Sequence, residues 1–115
     1  MEKAIRIKKE ESKLKKIFKD LDKNKKRTVE GLIKRAAFMK ASLEDFEEDL
    51  DMYGFVESFQ QGEKQEPYDR KRPVADLYNT MNTSYQKIIK QLTDLLPEGE
   101  DETDELLKFL GGGKG

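Results

Sequence analysis

The chain has 115 residues, 35% hydrophobic and 41% charged, with a formal net charge of −1. That length supports one compact domain, and the thin apolar content points to long exposed helices that complete their core against one another or against other subunits. Cysteine, histidine and tryptophan are all absent, which excludes disulfides, thiolate or imidazole metal sites, and serine–histidine or cysteine–histidine catalysis.

The near-zero net charge conceals a strong polarity. Residues 1–27 carry twelve Lys/Arg against five Asp/Glu, residues 28–96 nine against thirteen, and residues 97–115 two against six. A basic head and an acidic tail on one short chain call for two different partners.

The first predicted helix runs from about Glu2 to Asp22. Ile7, Leu14, Ile17, Phe18 and Leu21 mark one face and lysines fill most of the rest. The following DKNKKR reads as a basic turn, with Asp22 and Asn24 as its turn formers. The second helix is expected to start at Thr28 as N-cap. Val29, Leu32, Ala36, Met39, Leu43, Phe46, Leu50 and Tyr53 then form a heptad-like seam, widened by Ile33 and Ala37. Gly54 suits the helix end, where a positive φ is needed. The outer face, from Glu44 to Asp51, is acidic.

Residues 55–72 read as a long linker, in which Phe55, Phe59 and Tyr68 are spare aromatics that either fold back on the hairpin end or touch a neighbouring subunit. The third helix is expected to open at Pro73 and to close at Pro97, with Val74, Leu77, Tyr78, Met81, Tyr85, Ile88, Leu92 and Leu95 along its seam. The fold predicted is all-α: a lysine-rich N-terminal helix and turn (1–27), an antiparallel helical hairpin (28–97) and a flexible acidic tail (98–115). In the tail, Leu106, Leu107, Phe109 and Leu110 form a short apolar patch behind an acidic spacer, a pattern suited to docking on a partner.

Three motif matches fail on their chemistry. DLDKNKKRTVEG has calcium-loop spacing at its first three ligand positions, but Lys25 stands where the sharp turn needs glycine and Gly31 where the bidentate glutamate belongs. The terminal GGGKG lacks the Ser/Thr and the helix of a phosphate loop. The carboxylate row on the second helix is explained by a solvated face. No apolar run approaches the roughly 20 residues that span a bilayer. The remaining chemical signal is the basic head, where Lys8, Lys9, Lys15, Lys16, Lys19, Lys23, Lys25, Lys26 and Arg27, together with Lys13, could neutralise phosphates without reading bases. The alternative is a solvated lysine helix, or one that pairs with the acidic face of the second helix.

EGLIKRAAFMKASLEDFEEDLDMYG and RPVADLYNTMNTSYQKIIKQLTDLLP, with the intervening Phe59 to Gly62, resemble the helical hairpin of a family of bacteriophage terminase small subunits. The resemblance covers about Glu30 to Pro97, and its most specific block is YNTM…KQLTDLLP. It implies a non-enzymatic, cofactor-free homo-oligomer, a ring among the forms, that binds double-stranded viral DNA in the host cytoplasm and modulates a large ATPase–nuclease subunit. It implies Leu43, Phe46, Leu50, Tyr78, Met81, Tyr85, Ile88 and Leu92 as packing residues of the oligomer, and the Leu106–Leu110 patch as a seat for the large subunit. The N-terminal part departs from a helix-turn-helix reading head, being one lysine-rich helix and a basic turn. A coiled-coil interaction module without DNA binding is the competing expectation.

Overall fold

The computed structural model describes residues 2–96; the tail and its Leu106, Leu107, Phe109 and Leu110 lie outside the described residues. Three helices and one short hairpin follow in the order α1 (Lys3–Ile17), α2 (Lys23–Tyr53), β1 (Val56–Phe59), β2 (Tyr68–Lys71) and α3 (Pro73–Asp94). The 31 residues of α2 make a rod about 46 Å long. Both α1 and α3 run antiparallel to it: Arg6 of α1 reaches Ala41 and Asp45, and Tyr78 of α3 reaches Glu47.

The core lies where the three helices overlap. Leu14, Phe18, Leu21, Val29, Ile33, Ala36, Ile89, Leu92 and Leu96 form one buried cluster. Ile17, Leu32, Tyr85, Ile88 and Leu95 pack on its edge. Further along α2, Ala36, Ala37, Ala41 and Ser42 are all buried. Small side chains there let neighbouring helix backbones come close. The first 27 residues therefore do not form a separate head: α1 shares its core with α2 and α3.

Several predicted boundaries shift for identifiable reasons. The first helix stops at Ile17 rather than Asp22, and Phe18 closes it with an N–H donated to the Leu14 carbonyl. Phe18 and Leu21 remain buried, now in the turn. The second helix begins five residues before Thr28, because the Asp22 carboxylate accepts from the Lys25 backbone N–H at 2.9 Å and caps it. The DKNKKR segment is thus a helix start and not a turn. Gly54 has φ 80° and ψ −179°, a backbone open to glycine alone, as its place at the helix end anticipates. Pro73 opens α3 as expected.

The linker is the main correction to an all-α fold. Val56–Phe59 and Tyr68–Lys71 pair antiparallel, with Val56 opposite Lys71 and Phe59 opposite Tyr68. One face of this hairpin holds itself together: Arg70 pairs with Glu57 at 2.7 Å and stacks 3.6 Å over the Phe59 ring, which meets Tyr68 edge-on at 5.9 Å. The Gln60 side-chain amide donates to the carbonyls of Gly62, Glu63 and Gln65 and shapes the tip. Arg72 ties the hairpin base to both long helices. Its N–H donates to the Phe55 carbonyl, and its guanidinium donates to the Gly54 carbonyl at 2.7 Å and to Asp49 at 2.6 Å.

Leu92 is wholly buried and Leu77 is 58% exposed on the same helix. Leu92→Ala is expected to cost about 2–5 kcal/mol in urea unfolding followed by circular dichroism, whereas Leu77→Ala, compared at a dilution that leaves single chains, stays within about 0.5 kcal/mol of the parent. Equal losses for the two would contradict this core.

Candidate nucleic-acid interface

The turn at 18–22 brings the end of α1 beside the start of α2, and the basic residues gather at that corner. The Asp22 cap places Lys23, Lys25, Lys26 and Arg27 in the opening turns of α2. On α1, the pairs Lys8/Lys15 and Lys9/Lys16 each recur at seven-residue spacing, on two stripes turned away from buried Leu14. Lys19 stands in the turn itself. All nine of these side chains belong to exposed residues. Among the described residues none of the nine has an ion-pair partner.

Several other cations are paired. Arg6 holds Asp45 at 2.6 Å and Glu44 at 3.3 Å, and Lys3 lies 3.9 Å from Asp45. Lys40 is 3.4 Å from Glu10, Lys71 is 3.0 Å from Asp76, and Arg70 and Arg72 are paired as described. The acidic face of α2 is thus partly matched within the chain, by Arg6, Lys3 and Arg72 and by the Tyr78 hydroxyl, which donates to Glu47 at 2.8 Å. Lys3 and Arg6 of the basic helix pair with that face, one of the two sequence expectations, and none of the nine corner cations does so among the described residues.

The corner also works against its own helix. No acidic residue sits in the first turn of α2, while lysines do. Cations at the positive end of a helix dipole are unfavourable, by about 0.3–1 kcal/mol each at low ionic strength. A bound anion reverses the sign, because it meets lysine charges and helix N–H groups together. Asp20 and Asp22 are the acids at the corner, and Asp22 is engaged in capping Lys25.

The residues expected at an oligomer interface divide in two. Leu43, Leu50 and Leu92 are buried within the single chain, so they belong to its own core and are closed to a neighbour. The reason is geometric: one seam of α2 faces α3. Phe46, Tyr78, Met81, Tyr85 and Ile88 are only partly buried. Six large apolar side chains that are at least half exposed lie elsewhere, at the hairpin end of the rod: Met52, Tyr53, Phe55, Val56, Tyr68 and Leu77; Ile5 and Phe38 are exposed on the helical body. Phe55 and Tyr68 were visible in the sequence as spare aromatics. Met52 and Val56 carried no signal, because they lie off every seam.

The chain's centre holds a small polar cluster. Glu10 is buried beside Lys40, at a distance that makes an ion pair but with Oε2 lacking a hydrogen bond. Among the described residues no group of three or more His, Cys, Asp or Glu could hold a metal, and no helix is long and apolar enough to cross a membrane. Comparison of the chain with protein-family models, with curated proteins and with solved structures finds no match.

Burial, reinforced by the charges of Glu10 and Glu44, pushes the Tyr85 hydroxyl up to about 12. A phenol raised above its unfolded value near 10 stabilises the fold fully below that value, and the contribution is lost as pH rises through about 12. The melting temperature is therefore expected to fall between about pH 10 and 12, and Tyr85→Phe to flatten that fall. An unchanged pH profile in Tyr85→Phe would show that other groups drive it.

Proposed function

We propose that this protein is a DNA-packaging adaptor of the small-terminase kind: a non-enzymatic, oligomeric protein that holds viral double-stranded DNA and presents it to a large ATPase–nuclease subunit in the host cytoplasm. The observation that carries the DNA half of this reading is the unpaired basic corner. Nine exposed cations from α1, the turn and α2 stand together with no ion-pair partner among the described residues, while Arg6, Arg70 and Arg72 are each paired. Lysine-dominated contact of this sort gives affinity through counterion release and little base readout. The family assignment rests on the motif resemblance between Glu30 and Pro97.

Assembly is assigned to the apolar hairpin end, with half-buried Phe46, Tyr78 and Met81 as further contact residues. A two-stranded hairpin is marginal on its own, and its unpaired strand edges and exposed Val56 and Tyr68 gain from a neighbour. The Leu106, Leu107, Phe109 and Leu110 patch is assigned to contact with the large subunit.

Fluorescence anisotropy with a labelled duplex tests the first part. Binding should weaken steeply with salt, and Lys19→Gln/Lys26→Gln should reduce the slope of log K against log salt by up to about 0.9 for each phosphate no longer neutralised. Lys64→Gln/Lys71→Gln removes the same charge at the other end and should leave the slope unchanged. No binding of any duplex at low salt would instead favour the protein-interaction module without DNA binding. Sedimentation tests the second part: a mass several times 13.4 kDa is expected at micromolar concentration, falling to one chain in Val56→Glu/Leu77→Glu. A monomeric parent would remove the assembly.

A further inference from the structure

Beside the basic corner lies a groove of about 290 Å³ between α1 and α2. Phe18, Val29 and Ile33 form its floor, and Lys15, Lys19 and Lys26 form its rim, with Glu30 the single acid there. We infer that, in the chain not engaged with a large subunit, the acidic, leucine-bearing C-terminal segment of this same chain, residues 98–110, docks in this groove and covers the basic corner.

Three observations select this occupant. The first is charge: the rim lysines have no carboxylate partner among the described residues, and residues 98–105 hold six carboxylates. The second is the exit point. Leu96, the last described residue, belongs to the same buried cluster as Phe18, Val29 and Ile33, so the chain leaves the fold at the groove's end of the rod. The third is reach. Ten chain steps lead from Leu96 to Leu106, a span of at most about 36 Å when fully extended. The groove's Phe18, Val29 and Ile33 belong to the same cluster as Leu96, so the groove lies well inside that span. A short tether also holds its ligand at an effective concentration near millimolar. Weak contacts therefore suffice: carboxylates against the rim lysines, and Leu106, Leu107 and Phe109 against the lysine methylenes and the apolar floor.

The absence of cysteine makes the test direct. A nitroxide on Gly112→Cys in the full ¹⁵N-labelled chain should broaden the amide signals of Lys15, Phe18, Lys19, Lys26, Val29 and Ile33. Reduction of the nitroxide should restore them. High salt should weaken the effect, and Leu107→Ser/Phe109→Ser should abolish it without shifting the core signals of Leu14 and Leu92. Broadening absent from the groove, or centred on Met52 and Leu77, would overturn the docking. So would broadening seen only when labelled and spin-labelled chains are mixed, because the contact would then lie between copies. A consequence that rests on the DNA-binding reading is competition: Leu107→Ser/Phe109→Ser should tighten duplex binding by about 5-fold or more. A chain that binds no duplex would sink that reading while leaving the relaxation result intact, and unchanged affinity beside groove broadening would overturn the competition alone.

Discussion

The close approach of two helices to the middle of α2 is the constraint on which the rest depends. Ala36, Ala37, Ala41 and Ser42 are all buried there, and a larger side chain at any of them would wedge α1 or α3 away, at about 1–3 kcal/mol for a well-packed site. Arg6 then fixes the height of α1 by reaching the Ala41 carbonyl and Asp45. With α1 held at that height and turned so that Leu14 faces inward, its lysines have only the outside available. The position of the basic corner is thus a by-product of core packing, and its charge density follows from what the sequence places on the remaining faces.

The two ends of the molecule manage charge in opposite ways. At the hairpin end, each arginine is matched: Arg70 by Glu57 and the Phe59 ring, Arg72 by Asp49 and the Gly54 carbonyl. Such contacts order a segment that has little core beneath it, and Met52, Tyr53, Phe55, Val56 and Leu77 remain exposed there. At the corner the cations are left to solvent and crowd the wrong end of a helix dipole. A fold selected for stability alone would place Asp or Glu in that first turn. An external anion bound at the corner would relieve that mismatch.

Much of the helical fold could be read from the chain. Pro73 and Gly54 marked the inner ends of the long helices because each residue has a backbone reason to be there. The seam from Val29 to Leu50 was visible as spacing. The start of α2 was not, because a run so dense in cations looks like a solvated turn, and the single carboxylate of Asp22 that caps the helix is easily outvoted. The β-hairpin was hidden for another reason. Its strands are four residues long, with one face exposed and the other part-buried on Glu57 and Arg70 as well as Phe59, so no apolar–polar alternation marks them, and the pairing depends on Arg70 meeting Glu57 and Phe59 across the turn. At the site, the nine cations were legible as a list, but their lack of ion-pair partners among the described residues was not, since a neighbouring acidic face could have matched them. Among the residues assigned to an interface, Leu43, Leu50 and Leu92 showed the limit of periodicity: a seam tells that a face is covered and not by what.

Separation of the two ends gives the proposed reading its geometry. The body measures 64 × 26 × 25 Å, so apolar contact at the hairpin end and anion contact at the α1–α2 corner cannot obstruct each other. Copies joined through Met52, Tyr53, Val56 and Leu77 would project their basic corners away from the shared contact, several cations to each. Multivalent attachment of that kind multiplies weak, salt-sensitive phosphate contacts without any new interface. It also removes the need for a base-reading element on the single chain, because grip on a duplex then comes from the number and spacing of corners.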